Sequence, residues 1–239
     1  MTQALHPLAA SMVNQLNRVD TITNNLANAN TKGFKEDSLV EGSFNNYLDK
    51  MREEDKPTLK ESVVMNTIPK IDGDVINEQM GSIVQTGNSL DFALNQRDMF
   101  FKVENQNGEK LLTRDGSFKV LNNNLVTQNG NKVLDNNDQP ITVSNGILSA
   151  DLGVEQTKFT NLTKIGDNNY QIKNKDESLT VVNSSEYTLR GAIETSNVNT
   201  INSMVQLIEA QRKFEQSQKA ITSIDAINGK AIDSIGNGR

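Results

Sequence analysis

The chain's 239 residues contain one histidine, His6, beside Pro7 near the N-terminus, and no cysteine. A single imidazole cannot supply both a relay base and a metal cage, so neither a Ser-His-Asp triad nor a multi-histidine site can be built. Thiolate nucleophiles, disulfides and cysteine-ligated metals are excluded. His6 reads as a helix-start residue. The remaining candidates for chemistry are mostly acidic. Asp135-Asn136-Asn137-Asp138-Gln139-Pro140 has calcium-loop spacing but lacks the sixth-position Gly and twelfth-position Glu that such a loop needs, so it reads as a polar turn. Asp72-Gly73-Asp74 brings two carboxylates together without a base and reads as a Gly turn. Glu53, Glu54 and Asp55 form a charge run of the kind that faces water. Arg114-Asp115-Gly116 could belong to a catalytic loop, yet hairpin chemistry accounts for it. No glycine loop is spaced to cradle a phosphate. No catalytic residue, cofactor or metal is assigned.

The bulk numbers point the same way. Net charge is −6 and no basic cluster tracks a phosphate backbone, so nucleic acid is not an expected partner. Aromatic residues make up 5% and tryptophan is absent, which does not favour a large apolar substrate pocket. The start, MTQALHPLAASMVNQLN, lacks a basic segment followed by an apolar run, so no secretory signal peptide is expected. No stretch approaches 18 apolar residues, so membrane insertion is not expected either.

Periodicity supplies the elements. Leu5, Met12, Val19 and Leu26 repeat every seven residues, with Leu8, Ala9, Leu16 and Ile22 as companions. That spacing predicts a helix over residues 3–30 with a coiled-coil-like stripe. Leu207, Phe214 and Ile221 repeat likewise near the C-terminus, with Ala210, Ser217 and Ile224 beside them and Ile227, Ala231 and Ile235 continuing the row. Asn199 is a candidate N-cap for this second helix. Between the helices lie short apolar runs (SLDFAL, MFFKV, KLLT, SFKVL, NLVT, KVL, ITV). They are separated by Asn107-Gly108, Asp115-Gly116, Asn129-Gly130 and Asn145-Gly146, pairs that supply the positive φ of tight hairpins. Residues 31–80 read as an extended connection with local helix around 41–52.

The expected fold class is therefore α+β. Residues 1–30 and 191–239 would supply the helices of a coiled-coil-like tube domain, 31–80 an extended arm, and 81–190 a central all-β domain. Between Met1 and Thr31 only Arg18 and Asp20 are ionised. A stretch of that length with the chain's average composition would carry about seven charges. A charge-poor polar face suits burial against other protein, because a lone buried charge costs several kcal/mol. The C-terminal helix keeps more charge and suits a water-lined surface. Both seams are diluted by polar residues, so the helices are expected to order only when many copies pack together. An ordinary α+β domain whose helices cover its sheet is the alternative that the pattern leaves open.

Four stretches carry a resemblance. NNLANANTKGFK (24–35), GSIVQTGNSLDFAL (81–94) followed by Phe100-Phe101, LLTRDGSFKVLNNNLVTQNGNKVL (111–134) and LRGAIETSNVNTINSMVQLIEAQRKFE (189–215) resemble, in order, the motifs of the flagellar rod and hook family of axial proteins. The chain's length and compact β region are most similar to the proximal-rod branch, next to the distal-rod branch. Gln96, Arg97, Asp98 and Met99 stand where the distal-rod pattern has small residues.

The resemblance implies a structural subunit that stacks helically into the basal-body rod, transmits torque and encloses the export channel, with no substrate turned over. It implies as partners further copies of itself, the other proximal and distal rod and rod–hook proteins, and the flagellar type III export apparatus. It implies a periplasmic basal-body location reached without a cleaved signal peptide. Asn24, Asn25, Leu26, Asn28, Thr31, Gly33 and Phe34 are the expected assembly motif. Within it the asparagines, Asn30 included, would satisfy helix-end carbonyls and bridge to neighbours, Gly33 would permit a sharp exit and Phe34 would anchor the turn. A Gly33→Val change is expected to block assembly while leaving the isolated β domain folded. Asn197, Asn199, Met204, Leu207, Phe214, Ile221 and Ile224 are the expected packing set of the C-terminal helix. A β-domain binding module oligomerised by its helices is the competing reading; it requires exposed aromatics, for which Tyr170 and Tyr187 are few.

Overall fold

The computed structural model describes residues 5–43, 69–144, 146–181 and 183–236. They combine two helices with antiparallel sheet, an α+β arrangement, and they divide into two units. One unit holds α1 (Leu5–Ala27) as far as Leu26, the ribbon of β1 (Asp37–Ser43) and β2 (Pro69–Ile76) as far as Val75, and α2 (Thr200–Gly236). The other holds residues 27–36 and 76–198.

In α1 the sheltered row runs through Gln15, Ile22 and Asn25, with Met12, Val19 and Leu26 half-buried beside it. Leu16, expected in the companion row, is 47% exposed, and Val13 is exposed too. The buried centre is thus rotated from the heptad row toward amides, which can pair where a charge could not. The α2 helix starts at Thr200 rather than at 191. Asn199 caps it: its Oδ1 accepts from the N–H of Asn202 at 3.1 Å, and its carbonyl accepts from Ser203 at 2.9 Å. Ser203, Leu207, Ala210, Phe214, Ser217, Ile221 and Ile224 form its sheltered row. Met204, expected in the packing set, is 51% exposed and shares an open face with Ile201, Val205 and Ile208; Ile227 is exposed as well.

The expected connection is partly strand. Asp72-Gly73-Asp74 lies inside β2, not in a turn, and Pro69 opens that strand, where a missing N–H is tolerated. Residues 41–43 of the expected local helix are in β1. The rest of that expected helix and the charge run at 52–56 lie outside the described residues.

The second unit is built on a nine-stranded antiparallel sheet. Its strands are β5 (Met99–Glu104), β6 (Lys110–Thr113), β7 (Lys119–Leu121), β8 (Asn124–Val126), β9 (Lys132–Val133), β12 (Val154–Gln156), β13 (Leu162–Gly166), β14 (Asn169–Ile172) and β15 (Leu179–Thr180). The shorter pairs are β3 (Ile83–Gln85) with β17 (Ala192–Glu194), β4 (Phe92–Leu94) with β16 (Thr188–Arg190), and β10 (Val143–Ser144) with β11 (Ile147–Leu148). The hub is β5, which pairs with β6 along one edge and shares the other between β12 and β9. Successive strand residues face opposite sides. Phe101 and Val103 therefore join one core cluster with Phe92, Phe118 and Leu125, while Phe100 joins another with Phe159 and Tyr170. Phe100 meets Phe159 edge-on, with ring centroids 5.1 Å apart. Cover on both faces is why MFFKV reads as one apolar run rather than an alternation.

Turn chemistry explains most of the hairpins. Gly108, Gly130 and Gly146 have φ of +80°, +88° and +78°. Gly116 is not among the positive-φ residues, so the Asp115-Gly116 hairpin expectation fails. A Cβ there would strike the Phe92 carbonyl, and close approach is the reason for glycine. The β7–β8 turn instead uses Asn122 and Asn123, at φ +51° and +63°. Asp135 Oδ1 accepts from the N–H groups of Asn137 and Gln139, each at 2.8 Å, so the 135–140 stretch is the expected polar turn. Asp138 there meets Lys102, and also Lys110 at 2.6 Å. Burial pushes its carboxyl up, but the lysine hydrogen bonds outweigh this and hold it below the ordinary range.

Replacing Phe101, which is wholly buried at the sheet hub, with Ala should destabilise this unit by about 3–5 kcal/mol in urea unfolding.

Candidate functional site

Residues 31–36 do not simply leave a helix. They run into the β unit and are held there. Gly33, at φ +67°, donates its N–H to the Glu194 carbonyl at 2.8 Å. An added Cβ on Gly33 would lie 2.5 Å from the Arg114 carbonyl carbon and 2.6 Å from the Asp115 nitrogen. A valine side chain there would wedge into the backbone of the β unit, so Gly33→Val acts on that unit as well as on assembly. Phe34 is buried with the Lys164 ammonium 4.2 Å from its ring centroid, and Lys164 Nζ also donates to the Lys35 carbonyl at 2.8 Å.

Beneath this segment lies a buried ion triad. The side chains of Lys35 and Arg114 are 0% exposed and that of Glu194 is 1% exposed. Lys35 Nζ donates to Glu194 Oε1 at 2.7 Å and to the Gln79 carbonyl at 2.7 Å. Arg114 donates to Glu194 Oε2 through Nε at 2.9 Å and Nη2 at 2.5 Å. The Gly81 N–H donates to Oε1 at 2.9 Å. All four acceptor directions of the carboxylate are thus used. Arg114 Nη1 donates to the carbonyls of Gln96 and Met99, each at 2.6 Å, which fixes the turn before β5. Burial pushes the Lys35 ammonium below its ordinary 10.5; Glu194 opposes this shift, and Arg114 adds to it.

Asn197 forms a second polar node beside the triad. Its Oδ1 accepts from the Glu36 N–H at 2.8 Å, and its Nδ2 donates to the carbonyls of Asn77 at 3.0 Å and Gln79 at 2.9 Å. It precedes α2, so it belongs to the β unit rather than to helix packing. Among the other motif residues, Asn25 is buried and spends its amide on the Asp37 backbone, donating to O at 2.7 Å and accepting from N at 2.9 Å. That replaces its expected role at helix-end carbonyls. Asn28 accepts from Thr31 through its carbonyl at 3.0 Å and its Oδ1 at 3.1 Å, forming the turn after α1. Asn24 and Asn30 are exposed and Leu26 is half-buried.

Lys35 stood in the motif without a role, Arg114 was assigned to a hairpin, and Glu194 was not singled out. Their partners lie 80 and 159 residues away in sequence, beyond any local pattern. Among the described residues no group of three His, Cys, Asp or Glu could hold a metal. The arrangement has no exposed reactive group; it ties segments of the chain together.

Three family profiles match the chain. Residues 10–35 match the flagella basal body rod protein profile, 96–157 the flagellar hook protein FlgE/F/G D1 domain, and 189–234 the flagellar basal body rod FlgEFG protein C-terminal profile. Flagellar basal-body rod protein FlgG of Borreliella burgdorferi is 34% identical over 97% of this chain and 98% of its own length. The chain belongs to the flagellar basal-body rod protein family. Flagellar basal-body rod protein FlgF of Rhizobium meliloti is 29% identical over the whole of both chains. Flagellar hook-basal body complex protein FlhO of Bacillus subtilis is 26% identical over 99% of each. The triad takes one residue from each matched region of this rod protein: Lys35, Arg114 and Glu194.

Truncating Glu194 to Ala strands two buried cations and should destabilise the β unit of this rod protein by about 3–5 kcal/mol in urea unfolding. Lys35→Met should be close to neutral, because it removes a costly buried charge and leaves the Arg114–Glu194 pair. The Lys35 shift also fixes a pH dependence. With a folded pKa below 10.5, the contribution of Lys35 is fully present above 10.5 and is lost as pH falls through the depressed value. Wild type should therefore gain stability over Lys35→Met as pH rises toward 10.5, read from denaturant midpoints on the alkaline side.

Proposed function

We propose that this chain is a proximal-rod structural subunit that packs helically with copies of itself and with the other rod and rod–hook proteins. Its helices form the coiled-coil-like wall of a tube around an export channel. Torque passes through the packed subunits, and no substrate is turned over. Delivery is by the flagellar type III apparatus into the periplasmic basal body. The exposed residues of the 24–34 motif, Asn24 and Asn30, and the open α2 face of Ile201, Met204, Val205 and Ile208 supply the contacts.

The observation that carries this reading is the rod-family match over three regions whose residues converge in one buried triad. The open apolar face of Ile201, Met204, Val205 and Ile208 supports burial against other protein, since such a stripe is costly to leave in water. Both FlgF and FlgG proteins are among the relatives, the FlgG one at higher identity. The proximal placement rests on chain length and on the Gln96–Met99 segment, in which the carbonyls of Gln96, Arg97 and Met99 accept from Arg114. Among the described residues of the β unit, the exposed aromatics that the binding-module alternative needs are not found. Phe92, Phe100, Phe101, Phe118, Phe159 and Tyr170 are buried and Tyr187 is half-buried.

Basal bodies purified from the source cells should contain this chain in the rod, at its proximal end, when imaged with subunit-specific labelling. Dilute protein should lose its terminal segments to protease first and gain helix on assembly. Absence from the rod, or ends fully protected at low concentration, would overturn the reading.

A further inference from the structure

The covalent chain passes between the two units at four places, 26/27, 36/37, 75/76 and 198/199. Residues next to three of these crossings meet at one point inside the β unit. Glu36 donates its N–H to Asn197, Asn77 donates its N–H to the Glu36 carbonyl at 2.8 Å, and Asn197 donates to Asn77 and Gln79. The Gln79 carbonyl also takes the Lys35 ammonium. One carbonyl therefore receives a side chain from each terminal part of the chain.

Lys35 is not required for charge balance. Arg114 alone neutralises Glu194, and adding Lys35 leaves a buried cluster of two cations and one anion. Full burial of a surplus ammonium opposes stability. Its contacts run between segments: Nζ spans Glu194 and Gln79, and its carbonyl takes Lys164. Asn197 has the same character, with one amide joining three backbone sites from two other segments.

We propose that Lys35 and Asn197 are positioning residues, which hold the chain's crossings after Glu36, before Ile76 and after Val198 in one fixed register on the β unit. They act through Glu194, Asn77 and Gln79 and make only a small contribution to the stability of the sheet itself. The consequence for assembly rests on the rod reading: a subunit without this node folds but packs poorly. The node itself is a property of the free subunit and is tested there.

The chain has no cysteine, so introduced pairs can be spin-labelled cleanly. Gln79→Cys with Val120→Cys reports the crossing segment against β7, and both positions are exposed. Val120→Cys with Ile165→Cys spans the sheet as a control. On the wild-type background both pairs should give a single narrow distance. Lys35→Met combined with Asn197→Ala should cost the first pair its narrow peak, leave the control pair unchanged, and leave the unfolding midpoint close to wild type. A first pair that stays narrow overturns the proposal. So does loss of the control distance along with it, because the two residues would then be ordinary core. Lys35→Met alone keeps the test sharp if the double variant fails to fold: it should broaden the first pair, and an unchanged distance counts against the node. Failure of wild-type protein to enter rods would sink the rod reading without touching these distances.

Discussion

The carboxylate of Glu194 is buried, its side chain only 1% exposed. In that setting a carboxylate persists only if donors fill its acceptor positions and cations offset its charge, and this one has both. The donors come from Lys35, Gly81 and Arg114, so the electrostatic need of one group brings three distant stretches of chain to one place. Arg114 carries the demand onward by seating the carbonyls before β5, the strand on which both hydrophobic clusters depend. The polar junction and the apolar core are thus parts of one framework. The junction fixes where β5 begins, and β5 places Phe100 and Phe101 on opposite faces.

That framework suits a mechanical role better than a chemical one. A reactive group has to be reachable, and a buried, saturated triad is not. What the triad can do is resist shear between the segments it joins, since displacing any of them leaves a charge or amide unpaired in a buried site. Asn197 and Asn25 act similarly with neutral amides, each replacing a stretch of backbone pairing with a side chain. Short polar bridges of this kind are directional, whereas hydrophobic contacts tolerate sliding.

Much was legible from residue pattern because it depends on near neighbours. The α2 row from Leu207 to Ile224, the Asn199 cap, the polar turn at 135–140 and three of the four Gly-based turns follow from spacing and local chemistry. The misses have physical causes. Gly116 reads as a turn residue because glycine serves both positive φ and close approach, and only the neighbouring Phe92 carbonyl tells them apart. The heptad row of α1 identified a helix but not its buried centre, since Gln15 and Asn25 are sheltered while Leu16 is not. Asp72-Gly73-Asp74 reads as a turn by composition, yet its backbone lies within a strand pairing with β1.

The sequence by itself determined the α+β class, the two terminal helices, the β-rich middle and the family, because these rest on periodicity and on motifs read in order. Only the tertiary structure decided what Lys35, Arg114, Glu194 and Asn197 do. A charged or amide side chain looks the same in sequence whether it faces water or a partner 159 residues away. Its role is set by burial and by the donors that the folded chain delivers to it, and neither is a local property.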